Sequence, residues 1–155
     1  MNTQRLMIEP ARTQDLTGIE MILTSCDLPL EGVREHVRTF LVALAGERVV
    51  GCAGMELYGR FCVLRSLAVL PEERGHGLGS RLLVRLQQWA RASGCTDAYV
   101  LTNTAEAMAA GHGFARIARE EVPAEPRQSS EFKLRACASA TVMQRSLLEL
   151  DEQDG

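Results

Sequence analysis

At 155 residues the chain is long enough for one domain with a proper core. A net charge of −3, with scattered basic residues and only two Tyr and one Trp for stacking, argues against a general nucleic-acid binder. No apolar run nears the ~18 residues of a membrane span and the N-terminus lacks the core of a signal peptide, so no membrane is expected and the cytoplasm is the expected location.

Leu6 to Glu9 alternates weakly and reads as a short edge strand. Thr13 or Asp15 can start a helix whose stripe is Leu16, Ile19, Glu20, Ile22 and Leu23, stopping near Asp27 before Pro29. Glu31 to Arg38 is a second, weaker helix. Strands follow at Phe40 to Ala45, Val49 to Tyr58 and Phe61 to Leu70. Gly46-Glu47 turns the first, and Gly59-Arg60 suits a two-residue hairpin turn with glycine in the first central position. Leu78 to Ser93 is the clearest helix: Leu78, Leu82, Leu86, Trp89 and Ala90 share a face, and Gly94 ends it. Ala98 to Thr102 is a buried strand; Asn103 and Glu106 have the spacing of a capping box for a short helix to about Ala110. Phe114 to Glu120 is a strand, Val122 to Ser130 a loop, Ala140 to Leu147 a last strand, and Leu150 to Gly155 an acidic frayed tail. The fold class is α/β in the α+β sense, a mixed sheet of about seven strands flanked by about four helices. One domain is expected over residues 1–148, with a flexible acidic tail at 149–155.

The five cysteines, Cys26, Cys52, Cys62, Cys95 and Cys137, are odd in number and include no C-x-x-C pair. Neither a disulfide framework nor a metal site is expected, and buried, inert thiols are. Gly75, Gly77 and Gly79 stand between a strand and the long helix. Glycines this dense raise the entropic cost of folding, so something must approach the backbone there. Strand, glycine turn and helix N-terminus together aim unpaired N–H groups at one point, which is a phosphate-binding design. The turn lacks the lysine of a P-loop, and its last gap is too short for the dinucleotide fingerprint. A tight turn with close helix–strand packing is the plain alternative.

Arg74-Gly75-His76-Gly77-Leu78-Gly79 fits Arg/Gln-x-x-Gly-x-Gly/Ala, follows a strand ending Leu67-Ala68-Val69, and is trailed by Gly113-Phe114 after a short helix. On these residues nearly the whole chain resembles the GNAT superfamily of acyl-CoA-dependent N-acyltransferases. "DLPLEGVREHVRTFLVA", "AGMELYGRFCVLRSLAV", "LTNTAEAMAAGHGF" and the "SEF…SATVM" ending look like the small N-acetyltransferases of bacterial arsenic-resistance operons. The resemblance implies acetyl-CoA as cofactor, its pyrophosphate on main-chain N–H groups near Gly75, Gly77 and Gly79, with His76, Leu78 and Ser80 beside them. It further implies that Arg74 shapes the turn, that the pantetheine arm bonds the backbone of Leu67, Ala68 and Val69, and that Asn103 contacts the cofactor. A small-molecule amine would attack the thioester once it has lost a proton. Folds of this kind often pair through sheet edges or C-terminal strands, so a second copy of the chain is a candidate partner.

Two departures stand out. Where many members carry a tyrosine acid this chain has Ala109, flanked by Met108 and Ala110, and where many carry a carboxylate it has Arg65-Ser66. Arg65 interrupts an apolar strand, and buried arginine is rare unless paired. A Gly59-Arg60 turn puts Glu56 and Arg65 on one sheet face at diagonal spacing. They form either a structural ion pair or a substrate site, in which Arg65, with Ser66, grips an acceptor carboxylate and Glu56 deprotonates or holds the amine. An amino acid, or an arsenic- or phosphorus-bearing analogue, carries both groups. The missing tyrosine keeps open a second class, an acyl-CoA-binding sensor or partner module with little turnover.

Overall fold

A computed structural model describes residues 6–134 and 137–150. Seven strands form one sheet in the order β1-β2-β3-β4-β5-β7-β6. They are β1 (Leu6–Pro10), β2 (Phe40–Ala45), β3 (Arg48–Tyr58), β4 (Phe61–Val69), β5 (Asp97–Thr102), β6 (Ala115–Arg116) and β7 (Thr141–Ser146). The helices are α1 (Leu16–Ser25), α2 (Val33–His36), α3 (Leu78–Ala92), α4 (Glu106–Gly111) and α5 (Ser130–Lys133). Among the described residues no helix is long and apolar enough to cross a membrane.

The chain divides into two compact units, residues 1–54 with 66–86, and residues 55–65 with 87–155. In the first, β1 and β3 flank β2 in antiparallel ladders. β2 is buried along its whole length, so it reads as a continuous apolar run rather than an alternating one. Ile19, Ile22 and Leu23 of α1 pack with Val33, Phe40, Val42, Leu44, Cys52 and Ala68. α1 is preceded by a 3-10 turn at Thr13–Asp15, where the Asp15 carboxylate accepts the Arg12 N–H at 2.8 Å. Two glycines of β3 let neighbours close in. A Cβ on Gly51 would sit 3.2 Å from Leu82 Cδ1 of α3, and one on Gly54 would sit 2.2 Å from Phe40 Cε1, across the ladder.

In the second unit, β4 and β5 run parallel from Phe61 opposite Asp97 to Leu64 opposite Val100, and β5 pairs antiparallel with β7 from Asp97–Ser146 to Thr102–Thr141. Phe61, Tyr99, Val122 and Val142 form its apolar centre, backed by Leu101, Ile117 and Phe132. Gly94, at φ 99°, ends α3 as expected, with the Cys95 N–H donating to the Ala90 carbonyl.

Three expectations need correction. The strand expected over Phe114 to Glu120 is only Ala115–Arg116. The Arg127 guanidinium takes the carbonyls of Arg119, Glu120 and Val122, and Glu121 Oε1 takes the Ala118 N–H at 3.0 Å, so these groups leave the ladder and the chain curls into a 3-10 turn. The loop expected over Val122 to Ser130 contains a 3-10 turn at Pro126–Gln128 and runs straight into α5. The frayed tail does not begin at Leu150: that residue is buried, and its carbonyl accepts Arg91 Nη1 at 2.8 Å. Residues 151–155 lie outside the described residues.

The contact between Gly54 and Phe40 is testable by urea denaturation. Gly54→Ala should destabilise the protein by about 1–3 kcal/mol through overpacking. Gly54→Ala with Phe40→Leu should cost less than the sum of the single substitutions, because the smaller side chain vacates the space the new methyl needs. Strict additivity would refute the contact.

Candidate functional site

After β4 the chain makes a 3-10 turn at Pro71–Glu73 and enters α3 at Leu78. Between them Gly75 has φ 85° and Gly77 φ 80°, left-handed values that cost an L side chain about 1–2 kcal/mol. A Cβ at either position would meet nothing within 4 Å, so glycine is required there by the backbone and not by packing, and the space over the turn is open. Arg74 to Gly77 are exposed, Leu78 is buried, and Gly79 and Ser80 are half-buried in the first turn of α3. Arg74 Nε donates to the Val69 carbonyl at 2.9 Å and Nη2 to Cys26 Sγ at 3.5 Å. The side chain thus ties the turn back to the end of its own strand. A 15-residue helix begins with N–H groups that have no intrahelical acceptor and with the positive end of its dipole, which suits an anion.

β4 carries an unexpected feature. Ser66 has φ 60°, a left-handed value on a residue other than glycine. Before it, Phe61 to Arg65 are all buried; from Ser66 onward the strand is half-buried except at Ala68. Cys52 Sγ donates to the Ser66 carbonyl at 3.3 Å, fixing the peptide that follows. Leu67, Ala68 and Val69 lie beyond this kink, where β4 has passed the last pair of its parallel ladder, Leu64 with Val100.

The charged residues of the β3–β4 hairpin meet as the two-residue turn predicted. Arg65 Nη1 donates to Glu56 Oε2 at 2.7 Å, and both side chains are essentially inaccessible, at 0% and 1%. Gly59 takes a φ of 65° between the strands. Sequence alone did not indicate the rest of the cluster. Tyr58 Oη donates to Glu56 Oε1 at 2.6 Å. Ser130 Oγ accepts from Arg65 Nη1 at 3.0 Å and lies 3.3 Å from Glu56 Oε2. Glu131 Oε2 stands 3.8 Å from Arg65 Nη2. α5 brings the last two: Ser129 caps it, accepting the Glu131 N–H at 3.1 Å. Burial, then the hydrogen bond to Glu56 and its negative charge, push the Tyr58 hydroxyl above its ordinary pKa and keep it a donor.

Asn103 is exposed just past β5. It is not the cap of α4. Ala105 occupies the N-cap position, and the Thr102 hydroxyl accepts the N–H groups of Thr104 and Ala105 at 3.3 and 2.7 Å. The threonine hydroxyl at the strand end thus takes the amides that the capping-box spacing had given to the asparagine. Ala109 is buried in α4 and has no proton to give. His112 lies at the end of α4, its carbonyl accepting Arg145 Nη1 at 2.6 Å; the same nitrogen donates to the buried Gln87 at 2.8 Å. All five cysteines are free thiols. Burial pushes Cys52 up to about 12, and Cys62 is raised by its hydrogen bond with Cys95 and by burial.

The buried cluster predicts an order of stabilities. Glu56→Ala strands the guanidinium and should cost about 3–5 kcal/mol. Tyr58→Phe removes one hydrogen bond to a charged group and should cost about 1.5–3 kcal/mol. Chemical denaturation of both variants checks this, and a Glu56→Ala cost no larger than that of Tyr58→Phe would contradict the geometry.

The sequence pattern of the Acetyltransferase (GNAT) family matches residues 10–117. An amino-acid acetyltransferase of Mycobacterium tuberculosis is 33% identical over 132 residues, covering 78% of this chain and 75% of that one. An uncharacterized N-acetyltransferase of Chlorobaculum tepidum is 35% identical over 74 residues, 47% of this chain, and the match spans only 48% of that relative's length. Among solved structures, Rv2747 of Mycobacterium tuberculosis, in complex with CoA and NLQ, superposes with a TM-score of 0.75 at 27% identity, covering 90% of this chain and 98% of that one. The family match spans most of the strands, the glycine turn and α3, and on these grounds the chain belongs to the GNAT acetyltransferase family.

Proposed function

We propose that the chain is an acetyl-CoA-dependent N-acetyltransferase of a small-molecule amine, with an amino acid as the acceptor class. The observation that carries this is the exposed, left-handed glycine turn ahead of α3. The space over Gly75 and Gly77 is open, with nothing within 4 Å of a Cβ built on either, so a diphosphate can approach the main chain of the turn. Main-chain N–H groups from Gly75 to Ser80, with His76, Gly77, Leu78 and Gly79 between, would hold that diphosphate, and Arg74 keeps the turn in shape. The backbone of Leu67, Ala68 and Val69 would hold the pantetheine arm, with Asn103 as a further contact. Bound acetyl-CoA supplies an activated thioester.

On the acceptor side we assign Ser66; Arg65, whose side chain has no accessible surface and already faces Glu56, Ser130 and Glu131, serves as the structural ion pair beside it rather than as the grip on an acceptor. The amino-acid acetyltransferase among the relatives supports an amino acid, with its carboxylate, as the acceptor. An arsenic- or phosphorus-bearing analogue, as the likeness to the arsenic-operon enzymes implies, would present a similar oxyanion. Glu56, whose oxygens face Tyr58, Arg65 and Ser130, contributes by holding Arg65 in place, and any part in deprotonating the amine runs through these hydroxyls. A cytoplasmic location, a single domain over residues 1–148 and pairing of two copies belong to the same proposal. Ala109 favours one second reading, an acyl-CoA-binding module with little turnover.

Coenzyme A at about 100 times its Kd should stabilise the protein by ~2.7 kcal/mol in thermal unfolding, and Gly75→Ala or Gly77→Ala should weaken its binding. Absence of any protection would end the transferase reading. Once CoA binding is established, release of thiol from acetyl-CoA across a panel of amines should be fastest with amino acids, and Ser66→Ala should raise the acceptor KM while leaving CoA affinity unchanged. Protection by CoA with no release across the panel would instead favour the binding module.

A further inference from the structure

The tip of the β3–β4 hairpin and the loop ahead of α5 line an open cavity of about 410 Å³, bordered by Tyr58, Gly59, Arg60, Phe61, Glu125 and Gln128. That volume falls within the ~300–1,000 Å³ of small-molecule sites. Its chemistry is divided. Phe61 is nearly buried and packed into the apolar centre of its unit, and the Tyr58 ring beside it is held by the hydrogen bond to Glu56, so two fixed aromatic rings line the cavity. Arg60, Glu125 and Gln128 are exposed and form a polar rim. The Arg60 guanidinium lies 4.9 Å from the Phe61 ring centroid, and its backbone is fixed by the N–H groups of Thr96 and Asp97 donating to its carbonyl. Among the described residues neither the Arg60 guanidinium nor the Glu125 carboxylate is engaged in an ion pair.

Two charges of opposite sign on one rim, over an apolar wall, select among ligands. An anion alone would meet Arg60 but be repelled by Glu125. An amine alone would face the reverse. A neutral apolar molecule would partly dehydrate both charges and pair neither. We propose that this cavity is a binding site for a free α-amino acid with an apolar side chain. Its carboxylate pairs with Arg60, its ammonium with Glu125, and its side chain packs on Phe61 and Tyr58. Occupancy of this site does not depend on acetyl transfer.

Isothermal titration calorimetry on the full chain without acetyl-CoA tests it, using L-leucine, 4-methylpentanoate and isoamylamine. These share one side chain and differ in charge. L-leucine should bind about fivefold or more tighter than either single-charge analogue, and Arg60→Ala and Glu125→Ala should each weaken it about fivefold or more. Both substitutions fall on exposed side chains, and a thermal melt verifies that the variants fold. Three results would overturn the proposal: no heat with L-leucine, equal affinity for a single-charge analogue, or leucine affinity unchanged in folded Arg60→Ala and Glu125→Ala. The last would mean that leucine binds elsewhere. A protein that fails to release thiol from acetyl-CoA yet binds leucine as described would refute the transferase reading alone.

Discussion

A guanidinium shut away from water must be answered by protein groups, and Arg65 imposes that demand on its surroundings. It ends a stretch of β4 in which every residue is buried, so solvent cannot supply the missing hydrogen bonds. Glu56 answers from the neighbouring strand, while Ser130 and Glu131 come from far along the chain. Their delivery explains an otherwise odd loop. Arg119 donates to the carbonyls of Cys137 and Ala140 and sits 5.8 Å from the Phe132 ring centroid; Arg127 gathers the carbonyls ahead of Pro126. Two exposed or half-buried arginines thus anchor a segment that has little regular structure, so that a third, buried one can be satisfied.

How much of this was legible depended on the distance over which each signal acts. The strands and α3 were visible because periodicity is a local property and they are long enough to show it. The Glu56–Arg65 contact was visible because a two-residue turn fixes which residues share a face. Tyr58 was missed although it stands two residues after Glu56, where strand alternation sends it to the same side. α5 left no usable trace: four residues give no period, and Ser130 lies 65 positions from Arg65. The sequence pattern overstates the length of β6 for a related reason. Arg127, several residues downstream, takes the carbonyls that a strand would have offered to its neighbour.

Backbone conformation was readable only where glycine marks it. Gly75 and Gly77 take the left-handed values their residue type suggests, while Gly79 simply continues the helix. Ser66 takes a comparable value with no glycine to signal it, and it does so where β4 leaves its parallel partner. The serine is held by its own carbonyl, which accepts from Cys52. The family's glycine signature therefore reveals one half of the candidate cofactor surface, and the kink that shapes the strand beside it stays silent in the sequence.

The cysteines have a practical corollary. Four are sealed in the interior, leaving Cys26 as the accessible thiol, and Arg74 at the mouth of the glycine turn touches its sulfur. The unaltered chain thus offers a built-in attachment point for an environment-sensitive dye next to the surface assigned to the diphosphate. Occupancy there can be followed by fluorescence without engineering a label into the protein.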